Sequence, residues 1–437
     1  MENIVPKHIM RFGIHSEKQF FLPPQFRGSY DAIALNGNLV AYSLQGVCSF
    51  LSGLLKEKPY FIDPITHAFG HHPQYISQQE KPGELVPKPA MRALAERYGE
   101  PATKFLGKRG LLPKDFDGDS ARDFTVRVLD FQKLVIDSGL MQTGDAKYLD
   151  ITTRTPRFLI APYFYLGSNS VEMWLERNLG FVELAAECEP DLPIFAEILV
   201  AYDAFLDPDV RKLLVSKYGR CDAQGIILWV ESFSEHSASV GALKGYRSLV
   251  EGLSAAGKEI LVMYGGYFSI ILRKHGVTAV CHGPGYGEER EVTPVGGGVP
   301  RPKFYFPSMH MRLPYREVAF ALSGSDIGTA EGYYKLVCDC DMCHQILGDD
   351  LRKFSSYGEA KSGIRKDGIA FEYATTEARK ITTAHYIYNK KKEFQFVDAS
   401  SGPEIIDDLK ISYTKCKELF GVSEAAHLEA WVSSIVN

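Results

Sequence analysis

The sequence has no long apolar run, no internal repeat and no excess of basic charge. No stretch reaches the roughly 18 uncharged apolar residues of a membrane-spanning helix, and MENIVPKHIMRFGIH contains no apolar run of signal-peptide length. The 49 basic and 54 acidic residues give a net charge of −5, which argues against a basic coat over the whole surface. We therefore expect a soluble, cytoplasmic protein without a membrane partner.

Cysteine is also scarce, with eight residues in a chain of 437. Because no secretory signal accompanies them, we expect reduced thiols or metal ligands rather than a disulfide framework. The chain is long for one domain, so one large domain with a smaller appendage is the expected organisation.

Short apolar runs alternate with amphipathic helical patterns along most of the chain, which is typical of a parallel sheet buried on both faces. Eight of these runs are predicted as strands: DAIALN (31–36), PYFIDP (59–64), FLIAPYF (158–164), EILVAYD (197–203), GIILWVES (225–232), EILVMYGG (259–266), AVCHG (279–283) and KFYFPSMH (303–310). A count of eight predicts an α/β fold, namely a (β/α)₈ TIM-like barrel over residues 1–330 with an insertion around residues 70–150. An open, doubly wound sheet is the alternative.

The carboxyl ends of the predicted strands carry polar residues. In a TIM barrel the active site lies at these ends, so the candidate catalytic residues are Asp63, Asp203, Glu231 and His282. Glu231 follows an apolar strand, where a carboxylate needs a partner or a function, whereas the two aspartates are equally consistent with turn residues. The substrate-binding groups predicted at the same end are Tyr163, Gly265, Gly266, Gly285 and His310.

Two glycine-rich loops, GPGYGEER (283–290) and VGGGVPRP (295–302), follow at this end. Glycine lets backbone N–H groups approach a ligand closely. Neither loop matches a P-loop or a dinucleotide fingerprint, so a mobile lid or a plain turn is favoured. The histidine cluster THAFGHHP (66–73) is interpreted as a solvated loop, because its spacing is not specific for a metal.

The segment KLVCDCDMCHQIL (335–347) places Cys338, Cys340 and Cys343 within six residues. Thiolates at this spacing can reach one Zn²⁺ ion from a tight turn, and a histidine from a following helix often completes the tetrahedral shell. His385 is the first candidate for the fourth ligand and Cys416 is the second. We predict a structural zinc site in a helical subdomain of residues 331–437, with metal-free buried or redox-active thiols as the alternative.

The longer segment KLVCDCDMCHQILGDDLRKF (335–354) resembles the zinc segment of the tRNA-guanine transglycosylase superfamily. The resemblance implies a (β/α)₈ barrel beside a zinc site formed by Cys338, Cys340, Cys343 and His385. It also implies base exchange in tRNA or, in one branch, in DNA. In that reaction an Asp nucleophile displaces guanine, a covalent ribosyl-enzyme forms, and a 7-deazaguanine base attacks. A homodimer formed through the zinc subdomain is implied as well.

Several features differ from the superfamily pattern. Forty-one residues separate the third cysteine from His385, more than in the family. The family's D-S-G-G-F-Q segment is matched only partly, by IDSGLMQ (136–142), which lies at the end of a predicted helix. The late-strand motif that carries the family's nucleophile corresponds to GVTAVCHG (276–283), with Cys281 or His282 at the position of the Asp.

A basic stretch near the C-terminus suits nucleic acid in part. Its cations are expected to contact phosphates and its tyrosines to stack on bases, with a solvated helix face as the alternative. The predicted phosphate contacts are Arg379, Lys380, Lys390, Lys391 and Lys392.

Together these observations favour a transglycosylase-like glycosyltransferase that acts on a guanine-type base in tRNA or DNA. Asp203 and Asp63 would supply the nucleophile and the acid–base or base-recognition group, assisted by Glu231 and His282. One alternative is a barrel hydrolase of a glycosidic or phosphoester bond that uses Glu231 with His282 or His310. The other is a catalytically silent barrel that binds nucleic acid or a partner.

Overall fold

Eight parallel strands form a nearly closed, TIM-like barrel in the computed structural model. The structure describes residues 4–13, 15–21, 23–54, 58–81, 83–144, 147, 155–285, 287–293, 303–323, 328–357, 361–364, 368, 370–373 and 375–436. The barrel strands are β1 (His8–Phe12), β2 (Ala32–Asn36), β3 (Tyr60–Asp63), β6 (Leu159–Ile160), β7 (Ile194–Val200), β8 (Gly225–Val230), β9 (Glu259–Met263) and β10 (Val277–His282).

Contacts at two places close the barrel: between β1 and β10, and between β3 and the edge of β6. Strand β1 pairs in parallel with both β2 and β10, so the sheet is continuous through its first strand. At the remaining gap, the Arg157 N–H donates to the Tyr60 carbonyl over 2.8 Å, which brings the edge of β6 against β3. The prediction of a (β/α)₈ barrel is therefore confirmed, and an open doubly wound sheet is not formed.

One of the eight predicted strands lies outside the barrel. In the run KFYFPSMH, only β11 (Phe304–Phe306) is a strand, and it pairs antiparallel with β12 (Met311–Leu313) in a separate hairpin. The barrel's true first strand is β1, HIMRF, which the sequence analysis missed because His8 and Arg11 interrupt its apolar pattern. The count of eight is right, but one member was assigned wrongly.

The helices of the barrel region follow the strands in the expected alternation. They are α1 (Pro24–Arg27), α2 (Gly37–Tyr42), α3 (Leu44–Ser52), α4 (Pro73–Ile76), α5 (Pro89–Tyr98), α6 (Ala102–Phe105), α7 (Gly118–Thr143), α8 (Val171–Cys188), α9 (Tyr202–Leu206), α10 (Pro208–Tyr218), α11 (Val240–Ala255) and α12 (Tyr267–Ile271). Between β3 and α7 the chain adds short helices and a hairpin of β4 (Ser77–Lys81) and β5 (Glu84–Pro87).

The segment IDSGLMQ (136–142) lies within helix α7 and serves helix packing. Its Gly139 lies inside the helix rather than past its end, and a Cβ at that position would come within 2.5 Å of the Cys48 sulfur. Glycine thus lets α7 pack closely against α3. The Asp117 side chain, not that of Ser120, caps the helix by accepting from the Ser120 N–H.

Apolar side chains fill the lower part of the barrel. Phe61, Phe158 and Phe195 stack in series, with ring centroids 4.6 and 4.1 Å apart. Gly225 makes room for this stack, because a Cβ there would lie 2.1 Å from the Phe195 ring. The amino-terminal end is therefore closed by packing, and inward-facing polar groups are left for the carboxyl end.

A helical C-terminal region packs against one side of the barrel. It contains α13 (Tyr315–Ser323), α14 (Ala330–Leu336), α15 (Asp341–Leu347), α16 (Lys353–Tyr357), α17 (Thr376–Ala399), α18 (Gly402–Phe420), α19 (Val422–Ile435) and the hairpin of β13 (Lys361–Ile364) and β14 (Ala370–Tyr373). The Trp431 indole N–H on α19 donates to the Glu235 carbonyl over 2.8 Å, which docks this region onto the barrel. No helix among the described residues is long and apolar enough to cross a bilayer.

A largely buried ion-pair cluster joins the two regions. The Lys390 ammonium on α17 lies 2.8 Å from Glu288, which follows β10, and 2.9 Å from Glu393. It also donates to the Tyr305 hydroxyl over 3.0 Å. Lys390 was predicted to contact phosphate, but its side chain is wholly buried and does not face a nucleic acid.

Removal of the Lys390 charge should destabilise the fold strongly. Lys390→Ala leaves two buried carboxylates without their cation, and we expect the free energy of unfolding to fall by about 3–5 kcal/mol. Lys380→Ala, an exposed lysine of the same helix, should change it by less than about 0.5 kcal/mol. Chemical denaturation of both variants measures the difference, and equal stabilities would contradict the role of Lys390.

Candidate active site and metal centre

Asp63 lies at the carboxyl end of β3 and is almost fully buried in the barrel mouth. Its Oδ1 accepts hydrogen bonds from the Tyr163 hydroxyl at 2.7 Å and from the Ile65 N–H at 2.9 Å. Burial raises the pKa of Asp63, while these two hydrogen bonds and the charges of Arg290 and Arg11 oppose the rise. The structure thus brings together Asp63 and Tyr163, both predicted from strand ends.

Glu197 is a second buried carboxyl group of the mouth, and the sequence analysis missed it. It lies in the middle of β7, and its neighbours on the same face, Phe195 and Leu199, belong to the interior core. Neither carboxyl oxygen has a hydrogen-bond partner among the described residues. Burial raises the pKa of Glu197 well above its usual range, and the charge of Asp63 raises it further.

The signal for Glu197 was present in the sequence. A lone carboxylate inside the apolar run IFAEILV (194–200) is costly unless it is neutral or has a function. The predicted strand EILVAYD (197–203) begins at Glu197, which places this residue at the amino end of the strand. Asp203, at the carboxyl end, is therefore the residue that the pattern predicts for the active site. Strand β7 begins three residues earlier, which moves Glu197 inside.

Aromatic, basic and apolar side chains line a pocket at the same end of the barrel. Its cavity volume is about 100 Å³, and its walls include Asn36, His67, His71, Trp229, Tyr264 and Arg290. The rings of Trp229 and Tyr264 meet with centroids 4.8 Å apart. The guanidinium of Arg290 lies over the Tyr264 ring at 5.4 Å.

Backbone strain is concentrated at this end of the barrel. Four described non-glycine residues have positive φ, and three of them directly follow or lie two residues past a barrel strand: Ile65 (46°), Ser232 (51°) and Tyr264 (59°). Such conformations persist where the surrounding structure fixes them, and they cluster at functional sites. Their positions support the mouth as the functional end.

The histidine cluster is not a solvated loop, as the sequence analysis had interpreted it. Residues Thr66–Gly70 form a 3₁₀ turn in which His67 is buried. The His67 ring packs edge-on against Trp229, and its Nδ1 lies 3.3 Å from the Nε2 of His71. Burial lowers the pKa of both imidazoles, that of His71 to about 4, so both rings are neutral walls of the pocket at neutral pH.

Glu231 and Asp203 lie at the outer rim. The Tyr165 hydroxyl donates a short hydrogen bond to Glu231, and the Val292 N–H approaches its other oxygen at 3.4 Å. Asp203 is exposed in the first turn of α9, where it accepts from the Ala204 N–H at 2.9 Å. The structure therefore does not place Asp203 beside Asp63 in the buried layer.

His282 points away from the barrel interior. Side chains alternate along a strand, so Cys281 faces inward and His282 faces the C-terminal region. Its Nε2 lies 2.8 Å from that of His8, and its Nδ1 lies 3.2 Å from the Tyr386 hydroxyl. His282 therefore belongs to the buried layer between the barrel and α17, and not to the mouth.

His310 lies in the same buried layer, outside the barrel. Its ring stacks on Tyr267 with centroids 3.5 Å apart, and its Nδ1 lies 2.6 Å from a carboxyl oxygen of Glu393. The sequence analysis placed it at a strand end, but it follows the 3₁₀ turn Pro307–Met309 between β11 and β12. The hairpin carries His310 away from the pocket.

Two of the predicted ligand-binding glycines, Gly265 and Gly266, have packing roles, whereas a Cβ at Gly285 would meet no other atom within 4 Å. A Cβ at Gly265 would meet Ser269 and Val280 at 2.7 Å, and the Gly266 N–H donates to Glu235 at 2.9 Å. Gly285 is partly buried in the loop after β10. The second glycine-rich loop, residues 295–302, lies outside the described residues.

Cys338, Cys340, Cys343 and His385 form a buried group that can hold a metal ion. Their ligand atoms all lie within 4.8 Å of one another. The sulfurs of Cys340 and Cys343 are 3.6 Å apart, and the Nδ1 of His385 lies 3.2 and 3.4 Å from them. These separations are close to the edges of about 3.4–3.8 Å that follow from tetrahedral zinc with S and N ligands.

Outer contacts orient these ligands as a metal site requires. The other ring nitrogen of His385, Nε2, lies 2.8 Å from the Tyr305 carbonyl. This contact fixes the tautomer with Nδ1 free to ligate. The Tyr333 hydroxyl lies 3.3 Å from the Cys343 sulfur. Cys416 is buried elsewhere on α18 and is not part of the group, so His385 is the fourth member.

The remaining predicted nucleic-acid contacts are distributed around this site. Lys380 and Lys392 are exposed on α17, and Arg379 and Lys391 are partly buried. Lys392 lies 3.7 Å from Asp339, next to the cysteine cluster. Their contact with nucleic acid stays a prediction.

No family model and no curated protein matches the chain. Similar solved structures include TsXylA, an intracellular xylanase from Thermoanaerobacterium saccharolyticum JW/SL-YS485, with a TM-score of 0.36 and 9% identity over 67% of this chain and 90% of that chain. A mutant of that xylanase in complex with xylotriose gives a TM-score of 0.35 and 10% identity over 66% and 86% of the two chains. A likeness of this size carries no conclusion about function.

The metal group gives a direct prediction. Purified protein should contain about one zinc per chain, and Cys340→Ser should lose it, because a thiolate ligand is removed. Elemental analysis by mass spectrometry measures the metal. Cys416→Ser should retain the zinc; its loss there, with retention in Cys340→Ser, would reverse the assignment of the ligands.

Glu197 gives a prediction for stability against pH. The pKa of Glu197 is higher in the folded than in the unfolded chain, so above about pH 4.5 the folded protein binds more protons than the unfolded chain. The free energy of unfolding therefore falls by up to about 1.4 kcal/mol for each unit by which the pH rises. Glu197→Gln should flatten this profile between pH 5 and neutrality. The exposed control Glu183→Gln should not, and parallel profiles for all three proteins would contradict the shift.

Proposed function

We propose that this protein is an enzyme that cleaves or exchanges a glycosidic bond at the barrel mouth, with Asp63 and Glu197 as its reacting carboxyl groups. The observation that carries the proposal is the burial of both carboxyl groups in the barrel beside Tyr163, whose hydroxyl donates to Asp63 at 2.7 Å. The charge of Asp63 raises the pKa of Glu197. Such a pair holds one proton over a wide pH range. One protonated and one ionised carboxyl group is the requirement of glycosidic-bond chemistry.

The roles follow from the surroundings of each group. No donor among the described residues meets hydrogen-bond geometry at Glu197. The nearby Tyr163 hydroxyl lowers the pKa of Glu197, but burial and the charge of Asp63 outweigh this effect, so Glu197 keeps its proton and acts as the general acid. Asp63 receives two hydrogen bonds and faces two arginine charges, so it is the ionised partner. The Tyr163 hydroxyl, which donates to Asp63, holds that carboxylate in place.

The proposed reaction balances as a double displacement. Asp63 attacks the anomeric carbon, the bond to the leaving group breaks, and the leaving group takes the bonding electrons and the proton of Glu197. Glu197, now ionised, takes a proton from the incoming nucleophile, which displaces Asp63 and restores both groups. Water as the nucleophile gives hydrolysis, and a second base gives exchange.

The exchange of a guanine-type base in tRNA or DNA is the favoured form of this activity. It is supported by the Cys₃His group in a segment that resembles the transglycosylase superfamily, and zinc is the proposed ion because three thiolates and one imidazole suit it. Trp229 and Tyr264 would offer aromatic faces to a planar base. Since Cys281 stands where that superfamily has its nucleophilic Asp, Asp63 takes this role here.

Hydrolysis of a free glycoside is the second candidate. It uses the same two carboxyl groups and needs no nucleic acid. The buried pair beside Tyr163 supports it equally, because the pair does not depend on the nature of the leaving group.

Amide substitutions of the two carboxyl groups test the proposal. We expect the protein to incorporate labelled guanine into bulk tRNA or duplex DNA, and Asp63→Asn and Glu197→Gln each to lower the rate by about 10²- to 10⁴-fold. Zinc content and the thermal unfolding temperature serve as controls for intact variants. Release of aryl alcohols from aryl glycosides, without guanine incorporation, would indicate the hydrolase instead.

Asp203→Asn separates this proposal from the assignment made on the sequence. An exposed rim carboxylate should be dispensable for the chemical step, so this variant should keep its activity. Loss of activity in Asp203→Asn together with unchanged rates in Asp63→Asn and Glu197→Gln would overturn the proposed pair.

A further inference from the structure

We infer that the barrel mouth contains a binding site for a phosphate group, formed by the guanidinium groups of Arg11 and Arg290. Both lie over the ring of Tyr264, at 5.6 and 5.4 Å from its centroid. Both also act on the charge of Asp63. Two guanidinium groups thus converge on the place where the proposed reaction occurs, and neither was recognised in the sequence.

Arg11 reaches the mouth from the end of β1. Strand alternation turns Ile9 and Arg11 toward the interior, where Ile9 belongs to the core. The Nε–H of Arg11 is buried and has no hydrogen-bond partner among the described residues. Buried donors are almost always paired in folded proteins, so this one marks a position for an acceptor supplied by a ligand.

Arg290 reaches the same place from the loop after β10. Its backbone is fixed, because its carbonyl accepts from the Trp229 indole N–H at 3.2 Å and from the Ser232 N–H at 2.9 Å. Its side chain lines the open pocket and makes no ion pair with a carboxylate within the described part of the chain. The loop therefore holds a guanidinium in the pocket without neutralising it.

The charge balance of the mouth favours an anion. Glu17 also acts on Arg11, and Asp63 is the carboxylate whose charge both guanidinium groups offset. With Glu197 protonated, Arg290 has no ion pair among the described residues, so its guanidinium is available to an anion. Phosphate oxygens match the planar fork of arginine donors. The inference deepens the proposed function, since it makes the substrate a phosphorylated glycoside: either a phosphomonoester or a phosphodiester within a nucleic acid.

Calorimetric titration with three ligands tests the site. Guanosine 5′-monophosphate carries a monoester, guanylyl-(3′→5′)-uridine carries a diester, and guanosine has no phosphate. We expect at least one phosphorylated ligand to bind more tightly than guanosine. Arg11→Gln and Arg290→Gln should each lower the affinity for that ligand about tenfold or more. Arg220→Gln, an exposed arginine before β8 at the opposite end of the barrel, is the matched control.

The comparison of ligands identifies the source of the phosphate, and the comparison of variants tests the site. Preference for the monophosphate alone indicates a small ligand, and binding of the dinucleotide indicates the backbone of a nucleic acid. Equal affinities for all three ligands, or equal losses in Arg220→Gln and the two mouth variants, would overturn the inference. If Arg11→Gln fails to fold, Arg290→Lys provides a second test. This variant keeps the charge but loses the planar fork of donors, and we expect it to bind the phosphorylated ligand with an intermediate affinity.

Asp63→Asn separates this inference from the proposed function. It removes the carboxylate on which both arginine charges act, so it should bind the phosphorylated ligand at least as tightly as the unsubstituted protein, even where exchange is lost. Weaker binding of the phosphorylated ligand by this variant would contradict the charge argument. Normal exchange with intact phosphate binding would instead contradict only the proposed role of Asp63.

Discussion

The buried ion pair between Lys390 and Glu288 is the interaction on which both candidate sites depend. Burial opposes the charge of Lys390, but its two carboxylate partners outweigh burial and raise its pKa. The same attraction lowers the pKa of Glu288 to about 2, against a burial effect of the opposite sign. Lys390 lies five residues after His385 on α17, and Glu288 lies two residues before Arg290. One buried contact thus connects the helix that carries a metal ligand to the loop that carries a guanidinium of the barrel mouth.

Two polar layers are kept apart by the wall of the barrel. On β10, Cys281 faces the interior layer of Asp63, while His282 faces the outer layer of Lys390 and Tyr386. Burial, together with the charge of Lys390, lowers the pKa of His282 to about 4. A neutral imidazole there adds no charge to the cluster. The Tyr386 hydroxyl donates to Glu288 at 2.9 Å and can accept from the His282 Nδ1–H at 3.2 Å. The alternation of one strand therefore separates groups that lie next to each other in sequence.

The sequence predicted the features that depend on local pattern. The barrel, the cysteine spacing and the strand-end residues Asp63 and Tyr163 follow from periodicity and from the rule that TIM-barrel sites lie at carboxyl ends. His385, separated from Cys343 by 41 residues, was the first candidate for the fourth ligand because it lies on a predicted helix after the cysteines, and the resemblance implied the same residue. Glu197 was missed because the predicted strand began three residues too late, which placed Glu197 at the strand end. Arg11 was missed because β1 was not recognised as a strand, so its inward-facing side chains were not considered. The burial of Lys390 depends on tertiary contacts that no local pattern contains.

The thiol of Cys281 is consistent with the proposal that the reacting carboxyl groups lie on other strands. Its side chain lies in the barrel interior, and Cys281 or His282 stands where the resemblance to the superfamily would place an Asp. Burial raises the pKa of this thiol, and the opposing charge of Arg11 does not reverse the rise, so at neutral pH it is protonated and a poor nucleophile. A carboxylate function at this mouth must then come from β3 and β7, which supply Asp63 and Glu197. The charge of Arg11 favours ionisation of both Cys281 and Asp63, but only the carboxyl group also receives hydrogen bonds, from Tyr163 and the Ile65 N–H.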